Sequence, residues 1–308
     1  MKKLNLKENA FLGFAFALLL GSVLTLSSCT ASEEVSNPVD KTLIPVTIQV
    51  SDFAMTLEDM GSSTRTVEDA ADYAGVKVMT LAFYASDGTE VLKQTQERAD
   101  ATTYTTFGQF SCNLPIGSYT MVVIGRGLSN GDEFTLTSPT VAAYTSEKVR
   151  ETFSATQAVT VTSTTPLNLN VTLSRVVAEL KVVSTDGRSA DITKIRTTYS
   201  AGGKTFSPTT GLANSNTGFS VTNNPSSAVG SVISVYSFLF LESDEQNIDI
   251  TLEALDNNET VLFTKVITGV PMQRNKKTTL TGAIFTASPS SATFTLSTDW
   301  LTETTVPF

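Results

Sequence analysis

Histidine is missing from the chain altogether. Without an imidazole there is no Ser–His or Cys–His nucleophilic pair, no histidine general base and no ordinary zinc or non-haem iron ligand set. Cysteine occurs only at Cys29 and Cys112, and tryptophan only at Trp300. Charge is thin, 17% of 308 residues, and the basic sign is the scarcer one: 21 Lys and Arg against 30 Asp and Glu, net −9. That excess of acid speaks against nucleic acid, which is held by faces that neutralise phosphates, and against a polybasic grip on anionic lipid. The expectation is a chain that is not an enzyme and takes no metal and no cofactor.

Long apolar runs are scarce too. The one that stands out, Phe11 to Leu20 with Val23, Leu24 and Leu26 beyond it, follows Lys2, Lys3 and Lys7. A basic start and a short apolar stretch make residues 1–28 a secretory signal, too short for a comfortable membrane span. The run ends in Leu26-Ser27-Ser28-Cys29, which resembles a bacterial lipobox. The resemblance implies cleavage before Cys29, acylation of that residue, and several acyl chains holding the precursor in the outer membrane. Thr30-Ala31-Ser32-Glu33-Glu34 is similar to the acidic export signal of surface lipoproteins in Bacteroidetes. Once Cys29 is acylated, Cys112 has no partner for an intramolecular disulfide. Its setting, Phe110-Ser111-Cys112-Asn113-Leu114, reads as a strand with a buried, inert thiol.

From Lys41 onward, Thr, Val and Ser alternate with apolar residues at period two, the mark of half-buried strands. Ile44, Val46, Ile48 and Val50 alternate with Pro45, Thr47 and Gln49. Further strands are expected at Val76 to Tyr84, closed by Asp87-Gly88, and at Tyr119 to Ile124 after Pro115-Ile116-Gly117. Leu167, Leu169, Val171 and Leu173 alternate strictly, and at Ser174-Arg175 the phase flips to Val176, Ala178, Leu180 and Val182. A slip of one residue turns every side chain to the other face, so either a bulge or a strand changing sheets is expected there. The same style continues in Ile248 to Ala254, Val261 to Ile267, Thr278 to Phe285 and Thr293 to Trp300, while Val232 to Leu241, apolar on both faces, reads as a central strand. Short helices are expected only at Val67 to Tyr73 and Ala142 to Glu151. No internal sequence repeat is evident. The economical architecture is all-β, with two β-sandwiches in tandem joined near residue 175.

Motifs of chemistry fail one by one. Gly125-Arg126-Gly127 follows a strand but opens no helix, so it reads as a hairpin loop and not as a dinucleotide fingerprint. Asp244, Glu245 and Asp249 lack the spacing of a calcium loop and read as a solvated strand entry. Trp300 is in phase with Phe294 and Leu296, which suggests packing and not a sugar platform. Asp59 to Thr66 reads as a polar loop with a lone arginine, Arg65, of the kind proteases cut.

Three stretches carry a family resemblance. The first is Thr64-Arg65-Thr66, followed by Val78-Met79-Thr80-Leu81-Ala82-Phe83-Tyr84 with Asp87-Gly88. The second joins Leu114-Pro115-Ile116-Gly117-Ser118-Tyr119 to Ser174-Arg175-Val176-Val177-Ala178-Glu179-Leu180. The third is Val270 to Gly282, ahead of a closing strand with Asp299-Trp300. With the lipobox, these resemble the fimbrillins of Bacteroidetes, the FimA-like subunits of type V pili, over nearly the whole mature chain. The resemblance implies two transthyretin-like β-sandwich domains in tandem: a signal in 1–28, an N-terminal segment with a removable first strand in 29–65, and domains in 66–174 and 175–308. It implies that an arginine-specific protease cuts between Arg65 and Thr66 and that the strand of Ile44, Val46, Ile48 and Val50 then departs. A C-terminal segment of another subunit, carrying Phe294, Leu296 and Trp300 within Thr293 to Phe308, takes its place. The implied partners are other fimbrial subunits in a head-to-tail polymer, the protease, and the outer membrane before processing. A pilus anchor that keeps its lipid, and a monomeric surface glycan-binding lipoprotein, are the alternatives.

Overall fold

Alternating β-branched and polar residues favour pleated strands with one buried face. The computed structural model describes residues 42–59, 62–69, 73–98, 106–128, 134–162, 165–286 and 295–297, and among them there is no helix. In chain order the strands are β1 (Leu43–Asp59), β2 (Ser62–Asp69), β3 (Val78–Ala85), β4 (Glu90–Glu97), β5 (Gln109–Pro115), β6 (Gly117–Arg126), β7 (Phe134–Ser138), β8 (Val141–Tyr144), β9 (Thr152–Val161) and β10 (Leu167–Arg175). There follow β11 (Ala178–Ser184), β12 (Lys194–Tyr199), β13 (Thr205–Phe206), β14 (Phe219–Asn223), β15 (Ser234–Leu239), β16 (Glu245–Leu255), β17 (Val261–Gln273), β18 (Lys277–Gly282) and β19 (Thr295–Ser297).

The early strands form two layers, β5-β1-β10 and β9-β6-β3-β4, joined at a corner where Ser174 and Arg175 pair with Ser154 and Phe153. Ile44, Val46 and Ile48 of β1 meet Met79, Leu81 and Phe83 of β3 and Met121 and Val123 of β6 between the layers. Past Arg175 the chain leaves this sheet and enters another as β11. The phase flip at Ser174-Arg175 is thus a strand changing sheets. The later strands form β15-β11-β18-β19 and β14-β12-β16-β17, with Leu180, Val182, Ile195, Leu252 and Leu280 in the core they share.

Strand for strand, the two sets follow one plan. β1 lies between an antiparallel β5 and a parallel β10, as β11 lies between an antiparallel β15 and a parallel β18. In the other layer, β3 pairs with β4 and β6, and β6 with β9, all antiparallel. β12 pairs in the same way with β14 and β16, and β16 with β17. The sequence conceals this repeat because the plan fixes which positions are apolar, not which apolar residue fills them.

A small third sheet, β7-β8-β13, draws strands from both sets. Around it lies a third core that includes Tyr84, Val122, Tyr144, Val177, Phe206 and Phe240. Phe206 and Phe240 stack with ring centroids 4.2 Å apart.

Three expectations are corrected. Val67 belongs to β2, where it faces Ala54, so Val67 to Tyr73 does not start as a helix. Ala142 to Tyr144 lie in β8, held between β7 and β13, and no helix follows to Glu151. In both, strand partners override local helix propensity. Within Val232 to Leu241, β15 is a sheet edge and not a central strand. Its second apolar face exists because Phe238 and Phe240 pack on the third core, while Tyr236 stays 41% exposed.

Candidate strand-exchange groove

Ile44, Val46, Ile48 and Val50 are each 1% exposed or less. On one side of β1 they stand in register with the neighbouring strand: Ile44 opposite Leu114, Val46 opposite Cys112, Ile48 opposite Phe110. On the other, Val46 faces Leu167, Ile48 faces Leu169 and Val50 faces Val171. β1 is therefore a strip of apolar side chains seated between two ladders. Taking it out would uncover the inner faces of β5 and β10 and leave backbone donors and acceptors unpaired along both. Beside the strip, burial pushes the Cys112 thiol up to about 11, so it stays neutral and unreactive at ordinary pH.

After Val50 the pairing with β10 slips, Val50 facing Val171 and Asp52 facing Thr172. The extra residue turns Phe53 inward, where it is fully buried. The Val50 amide donates to the Gly108 carbonyl at 2.9 Å. Gly108 has φ +89°, and a Cβ there would lie 3.2 Å from the Val50 Cβ and carbonyl oxygen. Glycine meets both demands at once.

Phe53 ends the apolar strip in an aromatic cluster, 4.8 Å from Phe153 and 5.6 Å from Tyr73 between ring centroids. Above Phe153, at 4.9 Å, sits the buried guanidinium of Arg175. Arg175 Nη2 lies 2.6 Å from Glu151 Oε1 and 3.1 Å from the Tyr73 hydroxyl, and Nη1 donates to Asn275 Oδ1 at 3.2 Å. The Tyr73 hydroxyl donates to Glu151 at 2.6 Å. Burial, with the Glu151 charge adding to it, drives the Tyr73 hydroxyl far above its ordinary value, so it keeps its proton, donating to Glu151 while accepting from Arg175. This cluster closes the end of the groove with a buried ion pair in which both Arg175 terminal nitrogens are engaged.

Arg65 and Thr66 lie in β2, opposite Thr56 and Met55 of β1, and not in a loop. Thr64, Thr66 and Val67, β-branched residues flanking Arg65, find a ladder in the long β1, which explains the correction. β1 pairs with β10 only as far as Ala54. Beyond that point, among the described residues, β1 and β2 form a ribbon of two strands carrying Arg65. Leu296 stands in β19 opposite Leu280, so the described part of the C-terminal segment is an edge strand of its own chain. Cys29, Phe294 and Trp300 lie outside the described residues.

Gly125 is inside β6 and not in a hairpin loop: a Cβ there would come within 3.1 Å of Phe53 and 3.2 Å of Leu173 and Val76. The stretch Gly127-Leu128-Ser129-Asn130-Gly131 spells a nucleophile elbow, but the chain has no histidine to activate Ser129, which lies outside the described residues. Asp244 is paired with Arg274 at 2.6 Å and Asp249 accepts the Gly269 amide at 2.8 Å. Among the described residues no three acidic or cysteine side chains gather as a metal site. Sequence reasoning missed Tyr73, Glu151, Gly108 and the role of Arg175. One signal was present: Arg175 falls on the inward phase of Leu169, Val171 and Leu173, where a charge implies a buried partner.

Residues 46–304 match a family described as of unknown function, DUF6562. No curated protein matches the chain. Among solved structures, a candidate adhesin from Bacteroides ovatus is similar at 12% identity and TM-score 0.50, over 79% of this chain and 88% of that one. The fimbrial anchor protein Mfa2 of Porphyromonas gingivalis is similar at 11% identity and TM-score 0.49, over 83% and 95%. A candidate polysaccharide-binding protein from Bacteroides thetaiotaomicron follows at 12% and 0.47, over 78% and 91%. At such identity the likeness to the Bacteroides ovatus protein is one of fold.

Proposed function

The chain belongs to the DUF6562 family, and we propose that this member is a structural subunit of a cell-surface fimbria, assembled by protease-triggered strand exchange and serving adhesion. It is not an enzyme on this reading. The precursor is held in the outer membrane by lipid on Cys29, its two strand sets being tandem transthyretin-like domains over 66–174 and 175–308. An arginine-specific protease cuts after Arg65, and the C-terminal segment of another subunit enters the vacated place.

One observation carries the proposal. β1 lies near the start of the described chain, yet it is a central strand, with four apolar side chains sealed between β5 and β10. Four such side chains at ~1.5–3 kcal/mol each give roughly 6–12 kcal/mol of gross burial, enough to hold a replacement strand for long times against its ordering cost. Strand addition of this kind matches main-chain hydrogen bonds with pockets for alternate side chains. The ribbon around Arg65 supports the cut, because two strands without a third are only marginally stable and open without unfolding the sandwich. Losing the chain up to Arg65 also removes Phe53, and the donor segment supplies Phe294 and Trp300 for the aromatic gap. Donor and acceptor are different surfaces, so growth is head-to-tail and open-ended. A candidate adhesin sharing this fold agrees with the reading.

The test is incubation of the purified chain with an arginine-specific protease, followed by N-terminal sequencing and an unboiled gel. The expected result is a new terminus at Thr66 and a ladder of detergent-resistant polymers, both lost in Arg65→Ala. A cut at Thr66 with no ladder at any concentration would overturn strand exchange. The alternative is a pilus anchor, in which the same ribbon stays closed against the protease. Its signature is a folded chain that resists the cut and keeps its lipid.

A further inference from the structure

We infer that the outer edge of β10 is a second strand-docking site, filled by the C-terminal segment around residues 295–297 of a second copy of this chain. The inference shares its donor segment with the polymer reading but concerns the uncut chain, in which β1 stays in place and this edge is where that segment docks.

It rests on the structural repeat. β10 and β18 are equivalent strands, each parallel to the strand that opens its set. On the far side of β18, Thr279, Leu280 and Thr281 pair with Ser297, Leu296 and Thr295 of β19, antiparallel. On the far side of β10, among the described residues, Leu167 to Leu173 have no strand partner, since β9 pairs only with Ser174 and Arg175. The plan that seats a strand on one edge thus leaves the same edge open in the other set.

The two edges differ in sealing as this predicts. Where β19 covers β18, the inward Leu280 is 2% exposed. On β10, Leu167 and Leu169 point to the first core and pack on it, yet remain only half-buried. A strand laid beside them would finish their burial. Asn168 and Asn170, facing the other way, are exposed and would stay in water.

β10 also lacks the usual defences of an edge. Free edges are blunted by charges, prolines inside the strand or bulges. β17 carries Lys265 and β2 carries Arg65, Glu68 and Asp69, whereas Leu167 to Leu173 contain no charge and no proline. The occupant with a precedent in this molecule is the residue 295–297 segment, which already uses its backbone to cap the equivalent edge. Taken from another copy, it makes a head-to-tail contact.

The test uses the full chain with Arg65→Ala, so that the cut proposed above plays no part. Copies carrying Asn168→Cys, the equivalent of the Thr279 that Ser297 faces on β18, are mixed with copies carrying Ser297→Cys and mildly oxidised, and copies without an added cysteine set the background. The expected result is a disulfide-linked heterodimer, well above the yield from pairing Ser297→Cys with Thr137→Cys on another exposed strand. In sedimentation, Asn168→Lys with Asn170→Lys should weaken self-association by about tenfold, both positions being exposed and the new charges protecting the edge. Cross-linking no better than the Thr137→Cys control, or a chain that stays monomeric at all concentrations, overturns the inference. Either outcome is independent of whether Arg65 is cut in the unsubstituted chain.

Discussion

Cys112 lies in β5 opposite Val46, and burial moves its thiol from an ordinary 9.0 up to about 11. The sign of the stability effect follows from which state gives up its proton first. Between pH 9 and 11 the unfolded thiol ionises while the folded one does not, so the native chain loses stability over that window as pH rises. The urea midpoint should fall more between pH 8 and 10.5 in the native sequence than in Cys112→Ala. An equal fall in both would mean that the thiol is not held neutral by the groove. At this scale the residues were partly legible. Cys112 as a buried strand thiol was legible from Phe110, Cys112 and Leu114 in alternation. The cluster of Tyr73, Glu151 and Arg175 was not, because its members are 78 and 102 residues apart from Tyr73 and meet only through the corner between β9 and β10.

β1 shows what an element adds to its residues. Its alternation predicts one buried face, but a half-exposed edge strand would have the same pattern. Only pairing on both sides makes it central. Ile48 is fully buried, with Phe110 and Leu169 opposite. Ile48→Ala should therefore cost about 2–5 kcal/mol in urea unfolding. The groove reading adds that the same variant exposes Cys112 to thiol reagents sooner than an equally destabilising change in the second core, such as Ile250→Ala. Equal labelling would argue that β1 does not open by itself. The bulge after Val50 and the tight Gly108 were hidden in the sequence, since a one-residue slip is set by what the partner strands accept.

At the scale of the whole chain the third core matters most. Phe240 is fully buried, stacked on Phe206 and 6.3 Å from Tyr144 between ring centroids. It follows β15, a strand of the second set, yet it packs with Tyr84 and Val122 of the first. Phe240→Ala should cost about 3–5 kcal/mol and loosen the tie between the sets. Calorimetry should then show a single transition splitting into two, as the first and second cores melt apart. A single, merely shifted transition would mean that the remaining contacts suffice to couple them.

Composition and periodicity by themselves determined that this chain is built of strands, that its opening strand buries Ile44, Val46, Ile48 and Val50, and that something changes at Ser174-Arg175. Those are local facts, written in the alternation of neighbours along the backbone. Which edge each strand meets was decided only by the tertiary structure: β1 between β5 and β10, Arg65 in a ribbon and not a loop, β8 as a strand, β19 on β18, and one plan used twice. Pairing joins residues far apart in sequence, and many apolar residues fill an inward position equally well, so the order of strands leaves little trace in either half alone.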